Sequence, residues 1–366
     1  MKAIQTGIMF RIFDDSIKSH DKLPNATFDL SFDQKNGCHL ILRNDLRVDE
    51  KAYGVHTKKL DKVMRSFEIS ERSLGVILSG DKGIGKSMFA KMICQRAVSE
   101  GHPVIIVDAC YPGLARFIAS IEQECVVLFD EFDKIFRMTD DKDDQAELLS
   151  LFDGTSAGKK LYIVTCNELY SLNSYIINRP GRFHYHFRFD YPSPEDVRSY
   201  LNDKLGGSYT TEIDKVVEFS RKIDLNYDCL RSIVFELAQG SDFSSAIKDL
   251  NIMSTESDVY DVYLYLENGK RLEHTQYNTN LYDSSYDGLM IGIVFYDENG
   301  DYALKCYYDP KYAKYDIRHS SIIIPAKGIK MPKNNPDDDS DNPYAKAKPA
   351  YISFKKRARR NYHFAL

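Results

Sequence analysis

Apolar positions in this chain follow two patterns. Between Val55 and Tyr191 they gather into short unbroken runs, "GVILSG", "PVIIVD", "CVVLFDE" and "LYIVTCN", separated by segments of helical length. Runs with no polar alternation predict strands covered on both faces, hence a parallel sheet with crossover helices. Ahead of them, "ATFDLSFDQKNGCHLIL" from Ala26 to Leu42 alternates apolar and polar residues around Asn36-Gly37, which predicts a tight hairpin. Residues 1–50 therefore read as a β-rich prefix and 51–192 as an α/β core. "SPEDVRSYLNDKL" opens with Ser193 as an N-cap and Pro194 at the first helical position, and three more helical stretches follow to about Ile252. A helical subdomain is expected over 193–252. From Ser254 the pattern turns to tyrosines and β-branched residues, "VYDVYLYL", "LMIGIVFYD", "YALKCYYD" and "SIIIP", with Asn268-Gly269 and Asn299-Gly300 as turn pairs. This predicts a β-rich C-terminal domain over 253–366. It contains a mobile acidic loop, "KMPKNNPDDDSDNPYAKAKP", then the strand "AYISF" and a basic tail, "KKRARRNYHFAL".

Composition adds only exclusions. With 366 residues, 28% of them charged, and a formal net charge of -5, the chain shows no global electrostatic mark of a nucleic-acid binder. Its seven cysteines are odd in number, far apart and mostly set in apolar runs, so they read as reduced thiols of a cytosolic protein. The opening "MKAIQTGIMFRIFDD" is broken by Arg11 and Asp14 and lacks a small-residue cleavage site, so it does not read as a signal peptide. No apolar run approaches membrane-spanning length, and no membrane partner is expected.

The first stretch carrying chemistry is "GDKGIGKS", Gly80 to Ser87, placed between an apolar run and a helix-spaced segment. Its spacing fits G-x-x-x-x-G-K-[ST], whose glycines let successive N–H groups converge on phosphate above a helix N-terminus. The expected nucleotide contacts are Gly80, Asp81, Lys82, Gly83, Ile84, Gly85, Lys86, Ser87 and Met88. Lys86 reaches the terminal phosphates and Ser87 ligates Mg²⁺. "VVLFDEFD" ends a strand in two carboxylates: Asp130 holds Mg²⁺ through water, and Glu131 polarises an attacking water. Asn167, at the end of "LYIVTCN", is placed to hold that water from the other side. Arg179 and Arg182 flank the turn in "NRPGRF", where guanidinium groups suit a phosphate presented by a neighbouring subunit.

Together "GDKGIGKS", "VVLFDEFD", "LLSLFDG", "VTCN" and "NRPGRF" resemble the motif series of AAA+ ATPases, specifically the AAA subgroup, over about Val55 to Ile252. The wording of "FIASIEQECVVLFDEFDKIF" is also similar to AAA-type ATPases of large tailed bacteriophages, which implies a host cytoplasm. The resemblance implies a parallel-sheet core with a helical lid, ATP and Mg²⁺ as cofactors, and a homo-oligomeric ring or spiral, usually hexameric. It makes Asn167 the first sensor and Arg179 and Arg182 fingers acting on the adjacent subunit's nucleotide. Arg231 stands at the second-sensor position, though a solvated helix face explains it equally well. Tyr53, Gly54 and Val55 stand where the family flanks adenine.

The substrate stays open between two classes. Tyr111-Pro112-Gly113 occupies the position of a central pore loop, where an aromatic ring grips an extended polypeptide; a packed turn tyrosine explains it as well. Five cations between Lys355 and Arg360 (Lys355, Lys356, Arg357, Arg359 and Arg360) suit a phosphate backbone, an acidic surface or plain solvation. A remodelling or translocating ATPase acting on protein is the preferred expectation, a nucleic-acid loader or replication accessory the alternative. A nucleotide-gated scaffold is a third.

Overall fold

The unbroken apolar runs become the centre of a seven-stranded sheet. The fold is that of a computed structural model. It describes every residue except 7, 44–45, 47, 49–50, 52, 54–55, 139–142, 155–157, 178, 251, 253–256, 282–287, 317, 333–343, 345–346 and 358–366. The chain forms two compact units, one of Met1–Lys204 with Leu225–Arg231 and one of Leu205–Asp224 with Ser232–Leu366. The helical stretch read as one subdomain over 193–252 is thus shared between them.

In the first unit, β1 (Lys2–Thr6) and β2 (Met9–Phe13) form a separate two-stranded ribbon. Then come β3 (Thr27–Asp33), β4 (Gly37–Arg43), α1 (His56–Ile69), β5 (Leu74–Ser79), α2 (Lys86–Ser99) and β6 (Val104–Val107). The series continues with α3 (Leu114–Ala119), β7 (Cys125–Phe129), α4 (Phe132–Ile135), α5 (Ala146–Phe152), β8 (Lys160–Cys166), α6 (Ser174–Ile177), β9 (Tyr185–Arg188) and α7 (Pro194–Leu205). The sheet order is β4-β3-β6-β7-β8-β5-β9, and every neighbouring pair is parallel except β3 with β4.

The β3–β4 hairpin, expected within a prefix, is hydrogen-bonded into this sheet through the parallel pairing of β3 with β6, Thr27 opposite Val104. Its inward-facing Phe28 and Leu30 need the cover that the core supplies. β5, β6, β7 and β8 are buried at every position, as runs apolar on both faces require. One face packs around Phe129, Phe132, Phe136 and Phe152, the other around Phe67, Phe89 and Ile93. Truncating one such phenylalanine to alanine costs about 3–5 kcal/mol. Because β5, β7 and β8 run parallel, their C-terminal ends, and the loops carrying chemistry, share one edge. The predicted cap of α7 forms: Asp196 N–H donates to Ser193 Oγ at 3.1 Å, and Ser193 Oγ donates back to the Asp196 carboxylate at 2.8 Å.

The second unit holds α8 (Thr210–Ser220), most of α9 (Tyr227–Ala238) and α10 (Phe243–Asp249). Eight strands follow: β10 (Asp258–Leu266), β11 (Arg271–Thr279), β12 (Ile291–Tyr296), β13 (Tyr302–Tyr308), β14 (Lys314–Asp316), β15 (Ser321–Pro325), β16 (Ile329–Lys330) and β17 (Pro349–Lys356). They form one antiparallel sheet, ordered β14-β15-β17-β10-β11-β12-β13-β16. Alternation on β10 buries Tyr260, Val262, Leu264 and Leu266 against Phe295, Ile324 and Phe354. Most of the acidic loop lies outside the described residues. No disulfide joins any of the seven cysteines, and among the described residues no helix is long and apolar enough to cross a membrane.

Candidate active site

The loop after β5 turns back on itself through Gly80, Gly83 and Gly85, at φ of 137°, 74° and 96°, all in the region that side-chain-bearing residues rarely enter. Gly85 is the residue before α2, so the loop delivers the chain directly onto a helix N-terminus. The loop is tied down from outside: Tyr227 N–H donates to Gly83 O at 2.8 Å, and Asn226 Nδ2 to Lys82 O at 3.3 Å. Ile84 is buried in the core, leaving its neighbours' backbone to face the cavity.

Lys86 is only 7% exposed, and its ammonium is fully engaged. It donates to Gly80 O at 2.7 Å, Asp81 O at 2.6 Å and Asn167 Oδ1 at 3.1 Å. Burial pulls it below the usual lysine range, against the carboxylates of Asp133, Asp81 and Asp130. Beside it, Ser87 Oγ donates to Asp130 Oδ1 at 2.9 Å, and Thr165 Oγ1 donates to the same oxygen at 2.6 Å. A hydroxyl and a carboxylate brought together are hard oxygen donors that fit Mg²⁺ accompanying a phosphate. The convergent loop and the buried ammonium fit the phosphates themselves.

Glu131 follows Asp130 at φ 52° and ψ 44°, and its exposed carboxylate pairs with Lys134 one turn on. Asn167 is oriented from behind, since Asp133 Oδ2 accepts from its N–H at 2.9 Å and from Glu168 N–H at 3.4 Å. Four of the expected residues thus form two direct hydrogen-bonded pairs, Lys86 with Asn167 and Ser87 with Asp130. Thr165 and Asp133 were not among the expected site residues. Asp133 sits in α4 just after Glu131, and the pairing of β7 with β8 brings Thr165 and Asn167 to it.

A cavity of about 360 Å³ opens beside the loop. Gly83, Gly85, Lys86, Ser87 and Met88 line one side, with Arg231 at its rim, where Arg231 Nη1 donates to Asp228 Oδ1 at 2.9 Å. Tyr53, expected from the resemblance, lies here too; Tyr200 and Tyr227, which were not expected, complete an aromatic wall with ring centroids 5.3–6.2 Å apart. Burial pushes the Tyr227 phenol up to about 12, so it remains neutral. A wall of neutral rings suits the flat face of a base. Gly54 and Val55 lie outside the described residues.

The two arginines part company. Arg179 is exposed, with its guanidinium 5.3 Å from the Tyr175 ring centroid. Arg182 is 7% exposed and faces inward: it donates through Nε and Nη2 to both oxygens of Asp153, the second at 2.6 Å, and through Nη1 to Tyr175 O at 3.0 Å. Tyr111 is half-buried, stacked 6.0 Å from Phe32 of β3 at 19°. In the tail, Lys356 pairs with Asp224 at 2.7 Å and Asp258 at 2.9 Å, and Arg357 with Asp261 at 2.8 Å. Arg359 and Arg360 lie outside the described residues.

A glycine loop running onto a helix N-terminus, a paired acidic strand end and a polar residue on the next strand fit one class: a nucleotide-binding domain on a mostly parallel sheet. More particularly, the model of the ATPase family associated with various cellular activities (AAA) matches residues 76–191. The chain contains an AAA ATPase domain, in an AAA+ fold with a separate antiparallel β-rich sheet toward its C-terminus. Among solved structures it is similar to two single-substitution variants of Thermotoga maritima RuvB. The lysine-to-arginine mutant gives TM-score 0.42 at 15% identity and the threonine-to-valine variant 0.41 at 16%; each match covers 55% of this chain and 71% of that one. No curated protein matches the chain.

Proposed function

We propose that this protein hydrolyses ATP at interfaces between copies of itself in a ring or spiral, and uses the cycle to remodel or translocate a macromolecule. The observation that carries this reading is the chain of contacts Ser87–Asp130 and Lys86–Asn167 at the shared edge of β5, β7 and β8. Mg²⁺, held by Ser87 and through water by Asp130, would neutralise charge building on the phosphates. Lys86 exchanges carbonyl acceptors for phosphate oxygens. Glu131 swings from Lys134 to take a proton from water, and Asn167 orients that water. Arg179, exposed on its turn, is the finger presented to the next copy, and Arg182 supports it from within. Arg231 touches the nucleotide from the cavity rim.

Protein is the favoured substrate. Lys356 and Arg357, part of the sequence's best nucleic-acid feature, are matched by carboxylates of their own unit, which supports a folded-back tail over a phosphate grip. The similarity to bacteriophage ATPases belongs to this reading and gives host cytoplasm as the compartment. A nucleic-acid-associated ATPase is the second reading, resting on Arg359 and Arg360.

Two variants test the core of it. Lys86→Ala should abolish ATP binding, whereas Glu131→Gln should bind ATP normally and not turn it over, measured by nucleotide titration and phosphate release. Equal loss of affinity in both makes Glu131 structural and defeats the assignment. Material copurifying with Glu131→Gln in ATP then identifies the cargo class.

A further inference from the structure

We infer that Thr165 is a positioning residue for the proposed water-activating Glu131, an assignment that rests on the reading above. Thr165 is 1% exposed near the end of β8, and its hydroxyl makes two contacts of opposite sense. It donates to Asp130 Oδ1 at 2.6 Å and accepts from Glu131 N–H at 2.8 Å. A hydroxyl carries a single proton. With that proton committed to Asp130, an oxygen lone pair faces Glu131 N–H, so the two acidic residues are fixed relative to each other through one atom.

The consequence falls on the Glu131 backbone. Glu131 sits at φ 52°, one of three residues other than glycine with positive φ among the described residues. L residues seldom adopt that region unless their surroundings impose it. Thr165 holds the amide on one side of Glu131. On the other side Glu131 O accepts from Lys134 N–H at 2.9 Å and Ile135 N–H at 3.2 Å, starting α4. The left-handed residue is therefore clamped from both directions, which decides where its carboxylate can swing. A complementary contact returns from α4 to β8, where Asp133 accepts from Asn167 N–H. The proposed base and the residue proposed to orient its water are thus cross-linked in opposite senses across the same pair of strand ends.

Thr165→Val keeps the shape and deletes both hydrogen bonds, while Thr165→Ser keeps the hydroxyl. Steady-state ATPase is measured with nucleotide affinity from titration of a fluorescent ATP analogue, and Glu131→Gln is run in parallel. Misaiming a reactive group costs on the order of tenfold to a hundredfold, so Thr165→Val should lower kcat by that factor. Its nucleotide Kd should stay within about twofold, as a loss confined to the chemical step requires. Thr165→Ser should recover most of the rate. The inference is overturned if Thr165→Val turns over at the wild-type rate, if kcat and affinity fall together, or if Thr165→Ser is as slow as Thr165→Val. An active Glu131→Gln would overturn the base assignment itself; an inactive Glu131→Gln beside a normal Thr165→Val would remove only the role of Thr165.

Discussion

Arg182 and Asp153 form a two-point ion pair beneath the "NRPGRF" turn, with the guanidinium buried and the carboxylate partly exposed. A fork-on-carboxylate contact fixes direction as well as distance. It also spends Arg182 on its own chain, leaving Arg179 as the outward-facing cation. Arg182→Ala should therefore act first on stability. Losing charge-assisted hydrogen bonds to Asp153 and Tyr175 O costs about 1–3 kcal/mol, readable by chemical denaturation. The Arg182 hydrogen bond holds the Asp153 carboxyl below its usual range, so the pair's contribution is present above the unfolded carboxyl's pKa and lost as pH falls through the lowered one.

Arg179→Ala should do the reverse. An exposed side chain whose printed contact is the Tyr175 ring changes stability by no more than about 1 kcal/mol. The loss of an arginine finger slows hydrolysis by roughly 10³-fold or more. Mixed with Lys86→Ala subunits, Arg179→Ala should regain activity, because some interfaces then join an intact Lys86 to an intact Arg179. No rescue under conditions of proven subunit exchange would place the site within one chain.

Gly83 and Gly113 offer a matched pair of alanine substitutions. Both have positive φ, 74° and 78°, but a Cβ on Gly83 would stand 2.8 Å from Asn226 Nδ2 and Asp228 Oδ2, whereas Gly113 has open space. The shared backbone penalty is about 1–2 kcal/mol. Gly83→Ala should additionally weaken nucleotide binding by displacing the start of α9 from the loop, and Gly113→Ala should not. Equal nucleotide affinities for the two would separate that contact from the cavity.

Thiol chemistry should follow burial. Burial pushes Cys125 up to about 11 and Cys94, Cys166 and Cys306 up to about 12, while Cys110 is exposed. At pH 8 a maleimide should label Cys110 rapidly and those four only on unfolding. In the unfolded chain the same thiols ionise near 9.0, so folding keeps protons that unfolding releases. Stability should accordingly decline as pH rises from about 9 toward 12. Rapid native labelling of Cys94, on α2, or Cys166, on β8, would mean that the packing between that helix and the sheet opens under these conditions.

The parallel strands could be read because burial on both faces leaves continuous apolar runs, and β5, β6, β7 and β8 stand where those runs do. Strands half-buried or facing water left no such mark. β9, "YHFR", is a short half-buried stretch just after the arginine motif, and β11, "RLEHTQYNT", is largely polar because one face meets solvent. The β3–β4 hairpin was visible through its turn, but pairing with β6, more than seventy residues away in sequence, has no local signature. At the site, motif spacing singled out Lys86, Ser87, Asp130 and Asn167, which the fold brings together at one sheet edge. It missed Thr165 and Asp133, which orient them, and Tyr200 and Tyr227, which wall the cavity, because those roles exist only once distant segments meet. Nor does the spelling "NRPGRF" reveal that one arginine turns inward.

The three acceptors around Lys86 couple the glycine loop to Asn167 through one cation. The ammonium rests on two loop carbonyls and the Asn167 side-chain oxygen, all of them neutral. A phosphate bound there, as the proposed function requires, would outcompete neutral oxygens for that cation, and Asn167 would lose its donor. In the proposed function, occupancy of the loop would thereby reach the tip of β8 as a vacated amide oxygen.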